Sequence, residues 1–142
     1  MTHLNAIFTE VITRLMAIGD AAETELMPSA DPVDFPARHV FDGGHNPIDG
    51  DAFSTTYQLD FTVEGYLQQA GGAETHAALN DFYAATVRAL VSDPPLGGLV
   101  ETIDEGAMRV VVAPLASQNR LAFALDLSAT FATRRDDPAQ PA

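Results

Sequence analysis

Phe53 to Leu67, FSTTYQLDFTVEGYL, alternates almost without a slip and constrains this chain more than any other stretch. Phe53, Thr55, Tyr57, Leu59, Phe61, Val63 and Leu67 fall on one side, and Ser54, Thr56, Gln58, Asp60, Thr62 and Glu64 on the other. Such a period of two specifies a half-buried β-strand. At about 3.3 Å per residue it runs roughly 45–50 Å, where an ordinary strand runs roughly 17–20 Å. A strand of that length bends at a bulge, for which Gly65 is the candidate, or reaches past its own domain. Leu121, Phe123, Leu125, Leu127 and Phe131 repeat the pattern near the C-terminus, in a second long strand read over Arg120–Phe131.

Two helical patterns supply the cover for these strands. Leu4, Ile7, Phe8, Val11, Ile12, Leu15 and Met16 form one helical face. Thr2 is the expected N-cap, Glu10 and Arg14 an i,i+4 pair, and Gly19 the stop. Leu79, Phe82, Tyr83, Val87, Leu90 and Val91 form a second stripe, with Glu74 in its first turn and Ser92-Asp93-Pro94-Pro95 ending it. The expected fold is α+β, a mostly antiparallel sheet with two long strands and two helices on its apolar face.

Between these elements the reading is local. Glu23–Met27 and Ala37–Phe41 are short strands, separated by a stretch punctuated by Pro28, Pro32 and Pro36. Asp42–Asp51, DGGHNPIDGD, is rich in glycine, Asn-Pro and acids, and reads as a loop. Leu96-Gly97-Gly98 lacks the GK[ST] of a phosphate loop and is a connector. Leu99–Asp104 and Met108–Val112 form a hairpin about Glu105-Gly106, and Pro114 ends its second strand. Ser117-Gln118-Asn119 turns into the last long strand. Residues 1–133 make a single domain, and 134–142 a flexible or partner-docked tail.

Composition narrows the chemistry. The chain has 142 residues and no cysteine, so disulfides and thiolate metal sites are excluded. Its seven basic residues are all arginine and face 20 acids, a formal net charge of −13. A chain so acidic is not built to neutralise phosphates; its charge suits solubility, or a passage that DNA crosses without sticking. No Gly-x-Ser-x-Gly elbow, GxGxxG or lysine offers a catalytic or phosphate-binding framework. His3, His39, His45 and His76 are scattered. The one cluster that invites a metal is His39, Asp42, His45, Asp49 and Asp51, but its spacing matches no metal motif. A solvated acidic loop is the expectation there, with no catalytic residue, cofactor or metal and no membrane span. The start, MTHLNAIFTEV, lacks the pattern of a secretion signal.

The order of patterns carries a family likeness. It runs Tyr57-x-Leu59-x-Phe61-x-Val63-x-x-Tyr66, then Leu79-x-x-Phe82-Tyr83-x-x-x-Val87-x-x-Leu90. Asp93-Pro94-Pro95-Leu96-Gly97-Gly98-Leu99-Val100-Glu101-x-Ile103 follows, and Leu121-x-Phe123-x-Leu125-x-Leu127-x-x-Thr130-Phe131-x-Thr133 closes it. Together with the N-terminal helix, this resembles the tail terminator proteins of long-tailed, siphovirus-type bacteriophages and of related gene transfer agents. The proline-centred segment before the second strand is matched only in part, by Phe35-Pro36-Ala37, and the Asp42–Asp51 loop is peculiar to this chain.

The resemblance implies a structural virion protein and no catalysis. Its copies would form a ring, a hexamer, on the head-proximal end of the tail tube. The ring would stop tube polymerisation, join the head-side connector, and let DNA through without specific binding. Partners would then be the chain itself, the tube protein and the connector or stopper protein. Candidate subunit or tube contacts are Asp42, Gly43, Gly44, His45, Asp49 and Asp51, with Asp60 and Glu64 on the polar face and Arg134 and Arg135 in the tail. Competing expectations are another ring of the head–tail neck, or a small ligand-binding or enzymatic α+β domain using its histidines and acids.

Overall fold

The sheet is built outward from the two alternating strands. A computed structural model describes residues 1–115 and 118–142. β3 (Ser54–Tyr66) and β5 (Gln118–Arg134) pair antiparallel over their whole shared length, from Ser54↔Arg134 to Tyr66↔Ala122. β2 (Ala37–Gly50) flanks β3, β1 (Glu23–Leu26) adds parallel to β2, and β4 (Thr102–Leu115) flanks β5. β6 (Asp137–Pro141) completes a six-stranded sheet by pairing with the end of β5. The fold is α+β and mostly antiparallel, with helices α1 (His3–Ile18) and α2 (Ala73–Leu90) on one face.

That face holds the core. Leu59, Phe61 and Val63 of β3 and Phe123, Leu125 and Leu127 of β5 are buried against Ile7, Phe8, Val11 and Leu15 of α1 and Leu79, Phe82 and Leu90 of α2. α1 is closed as expected: Thr2 Oγ1 accepts from the Asn5 amide at 3.1 Å, and Gly19 ends the helix in the left-handed region at φ 75°. Arg14 bonds Glu10 at 2.8 Å and reaches the Ser92 hydroxyl at 3.0 Å, tying α1 to the end of α2. Arg38, fully buried, joins the layers. It pairs with Asp20, donates to Thr86 Oγ1 at 2.9 Å and the Phe82 carbonyl at 3.2 Å, and lies over the Phe82 ring.

Several local expectations change. Asp42–Asp51 is not a loop: β2 continues to Gly50, paired with β3 across two register shifts. Gly43 and Gly44 make the first bulge, and a Cβ on Gly43 would stand 2.8 Å from the Asp60 carbonyl oxygen. The same signal that marks a turn here marks an interruption in a strand. Glu105-Gly106 likewise makes no hairpin; it is a bulge between Glu105 and Met108 inside the single strand β4. Pro114 lies within that strand, paired with Asn119, as an edge strand permits. Gly65 is not a bulge either, because β3 stays in register with β5 there. The 134–142 tail folds back: Asp137–Pro141 is a strand on β5. Of the turn at Ser117–Asn119, Ser117 lies outside the described residues, and Gln118 and Asn119 belong to β5.

Candidate functional site

The sheet outruns its helices. β3 has 13 residues, about 43 Å at strand pitch, against the 16 residues and about 24 Å of α1. Just beyond the N-terminus of α1, whose His3 ring lies 5.9 Å from that of Phe131, the β2–β3 and β5–β6 turns form a shared tip. Asp51 fixes the first turn by accepting from the amides of Phe53 at 2.7 Å and Ser54 at 2.8 Å. Those amides hold its carboxyl below the usual range, with Arg135 adding to the effect. Arg135 crosses between the turns, its amide donating to the Phe53 carbonyl and its guanidinium to the Asp51 carbonyl, both at 2.9 Å. Arg134 pairs with Asp136 at 3.1 Å. Phe53, expected to face inward, stands in the turn before β3 and is 85% exposed. It borders an open concavity of about 770 Å³ with Arg134, Arg135 and Ala142. An exposed aromatic beside arginines has the composition of a protein contact.

The remaining candidates lie elsewhere. Asp42, Gly43, Gly44 and His45 occupy the outer edge of β2, where β1 has ended: β1 covers only Ala37–Val40. Asp42 Oδ1 accepts from the Gly44 amide at 2.8 Å, stiffening the bulge. The bulge also changes the face on which residues point. His39 pairs Glu64 on the helix-free face, whereas His45 pairs Leu59 on the helix side. There His45 meets Tyr57 at 5.0 Å and Phe131 at 5.8 Å between ring centres. His39, Asp42, His45, Asp49 and Asp51 therefore do not converge. Asp49 accepts from the Gly50 amide at 2.8 Å near the tip.

Asp60 and Glu64 lie on the helix-free face, as the alternation requires. Asp60 is exposed and accepts from Gln58 at 3.3 Å. Glu64 accepts from the Tyr66 hydroxyl, which burial and the neighbouring carboxylate push above its usual range. Beside them Asp126 is held below the usual carboxylate range, chiefly by the Arg109 guanidinium at 2.7 Å and further by the Thr62 hydroxyl. This half of the face is polar. The other half carries a small apolar cluster of Ala37, Tyr66, Leu115 and Ala122, covered by Phe35.

One feature escaped the sequence reading. Val110, Val111 and Val112 of β4 are 46, 44 and 55% exposed. β4 is the last strand of the sheet, so its outer row of backbone donors and acceptors has no strand partner among the described residues. A long apolar edge of this kind is a template for pairing with another chain. The signal in the sequence is the run of three valines, which a hairpin arm would explain equally well.

No family model matches this chain, and no curated protein matches it. No helix among the described residues is long and apolar enough to cross a membrane.

Proposed function

We infer that this chain is a structural ring protein of the tail terminator kind, capping the head-proximal end of a tail tube and joining it to a head-side connector. The observation that carries the reading is the pair of free edges on opposite sides of one sheet. One is β4 with its exposed valines; the other is the outer half of β2, where Ile48 is 53% exposed. Different edges meeting head to tail generate a closed ring when the rotation per subunit closes. Six copies would make the hexamer that the resemblance implies. The tip, with Phe53, Arg134 and Arg135, then supplies a contact to the tube or the connector. The polar face, with Asp60, Glu64 and Asp126, is repulsive to DNA phosphates and suits a lumen that DNA traverses.

A lysine on the free edge tests this reading. Val111 faces the open side opposite Ala122 and is exposed, so Val111→Lys should change stability by less than about 1 kcal/mol. It should nonetheless abolish ring formation on the tube, because charge on an edge blocks strand addition. A loss of about 1.4 kcal/mol at each junction weakens that junction tenfold. Rings forming with wild-type efficiency from a folded Val111→Lys chain would exclude this edge from the interface.

A further inference from the structure

His39 lies at the meeting of β1, β2 and the segment before β2, on the helix-free face, and is 2% exposed. Parallel pairing puts Glu25 directly across from it, and Glu23, two residues earlier on β1, faces the same way. Glu23 is already oriented: Oε1 accepts from the Val33 amide at 3.2 Å and the Asp34 amide at 3.4 Å, which leaves Oε2 for His39 Nε2 at 2.5 Å. The imidazole is held by the Phe41 and Tyr66 rings, 6.4 and 5.8 Å away between centres. One donor atom from each of Glu23, Glu25 and His39 lies within 4.8 Å of the others.

We propose that Glu23, Glu25 and His39 form a binding site for a divalent transition-metal ion, Zn²⁺ foremost, with a fourth position open to water. The chemistry suits that ion: the borderline imidazole nitrogen favours a transition metal over Mg²⁺ or Ca²⁺, carboxylate oxygens are accepted by zinc, and three protein ligands plus water is a familiar zinc arrangement. The geometry needs little change. Bonds of about 2.1 Å place tetrahedral ligand atoms about 3.4 Å apart. His39 binds through Nε2 as the neutral Nδ1–H tautomer, the Nε2 proton passing to Nδ1 by way of solvent, and Nε2 and Glu23 Oε2 open by roughly 1 Å to admit the ion between them. Charge favours the exchange, since with a neutral imidazole the three side chains carry two negative charges in a chain of net charge −13. The second shell is also in place, because the Val33 and Asp34 amides hold the far oxygen of Glu23. The bound ion would staple the short strand β1 and the proline-punctuated segment to β2. This inference is independent of the ring reading.

The test uses the full chain stripped with a chelator, titrated with ZnCl₂ by calorimetry and with Co²⁺ by visible absorbance. The expected result is one ion per chain, a tetrahedral Co²⁺ spectrum, a raised Tm, and no displacement by millimolar Mg²⁺. Glu25→Gln removes one ligand at an exposed position, keeps the His39–Glu23 bond, and should weaken binding at least tenfold while leaving the fold intact. No binding up to millimolar Zn²⁺ would overturn the proposal. So would unchanged affinity in Glu25→Gln, which would put the ion elsewhere, or displacement by Mg²⁺, which would mark a diffuse acidic surface.

Discussion

Replacing Arg38 by alanine is expected to destabilise the chain by about 2–5 kcal/mol, the range for truncating a large, fully buried side chain, with the loss of its ion pair to the one-third-exposed Asp20 as a smaller addition. The side chain is fully buried, and its removal opens a cavity under α2. It also strips Asp20 of its partner and the Phe82 ring of the guanidinium stacked 3.9 Å above it. Two comparisons separate the causes. Arg38→Met fills most of the volume and should cost less than Arg38→Ala, because an apolar isostere does not require a counter-charge. Asp20→Ala leaves the guanidinium buried with only the neutral acceptors Thr86 Oγ1 and the Phe82 carbonyl, and should cost more than Arg38→Met. Urea unfolding with unchanged m-values gives all three numbers. A loss below about 1 kcal/mol for Arg38→Ala would show that the layers are held by apolar contact alone.

Gly65→Val should be comparably damaging. A Cβ at this position would stand 2.1 Å from Phe123 Cε2 and 2.6 Å from Cζ. Phe123 is fully exposure-free and sits directly across the strands from Gly65, with Phe82 and Tyr83 edge-on at 5.9 and 6.1 Å. The ring fills the space that a side chain would occupy and has nowhere to retreat. Overpacking of this sort costs about 1–3 kcal/mol for an added methyl, so Gly65→Ala should fall in that range and Gly65→Val above it. Phe123→Leu in the Gly65→Ala background should recover part of the loss, a coupling of about 0.5–3 kcal/mol for residues in contact. Additive losses in that double-mutant cycle would mean that the glycine matters for its backbone and not for the ring above it.

These two residues also mark where the sequence was legible. Period-two alternation located β3 and β5, and the helical stripes located α1 and α2, because each pattern is carried by many side chains answering to one buried face. Such redundancy survives a local irregularity. Gly43, Gly44, Gly65 and Gly106 had no redundancy. A glycine beside an acid is compatible with a turn, a bulge or a socket for an aromatic ring, and only the strand opposite decides among them. For Gly43 the decision rests with Asp60, for Gly106 with Asp126, and for Gly65 with Phe123. β6 was hidden for a related reason: DPAQP has no strand pattern, and its pairing to Thr133 and Arg134 is a tertiary event.

The candidate surfaces divide in the same way. Alternation placed Asp60 and Glu64 on the helix-free face, and the tip joined Arg135 to the Asp51 carbonyl across 84 residues of chain in a bond that no spacing rule forecasts. Phe53 continued the apolar alternation on paper, but the strand begins one residue later and leaves it in the turn, 85% exposed. The convergence of Glu23 and Glu25 on His39 depends on parallel pairing across the proline-punctuated segment and is likewise invisible in one dimension.

Deleting the gene in a host that makes the particles, and imaging the products by electron microscopy, tests the proposed role at the end of a tail tube. Heads without tails beside tubes of unregulated, excessive length are the expected products, with joining restored by the wild-type chain. Tails of normal length joined to heads in the absence of the protein would contradict it.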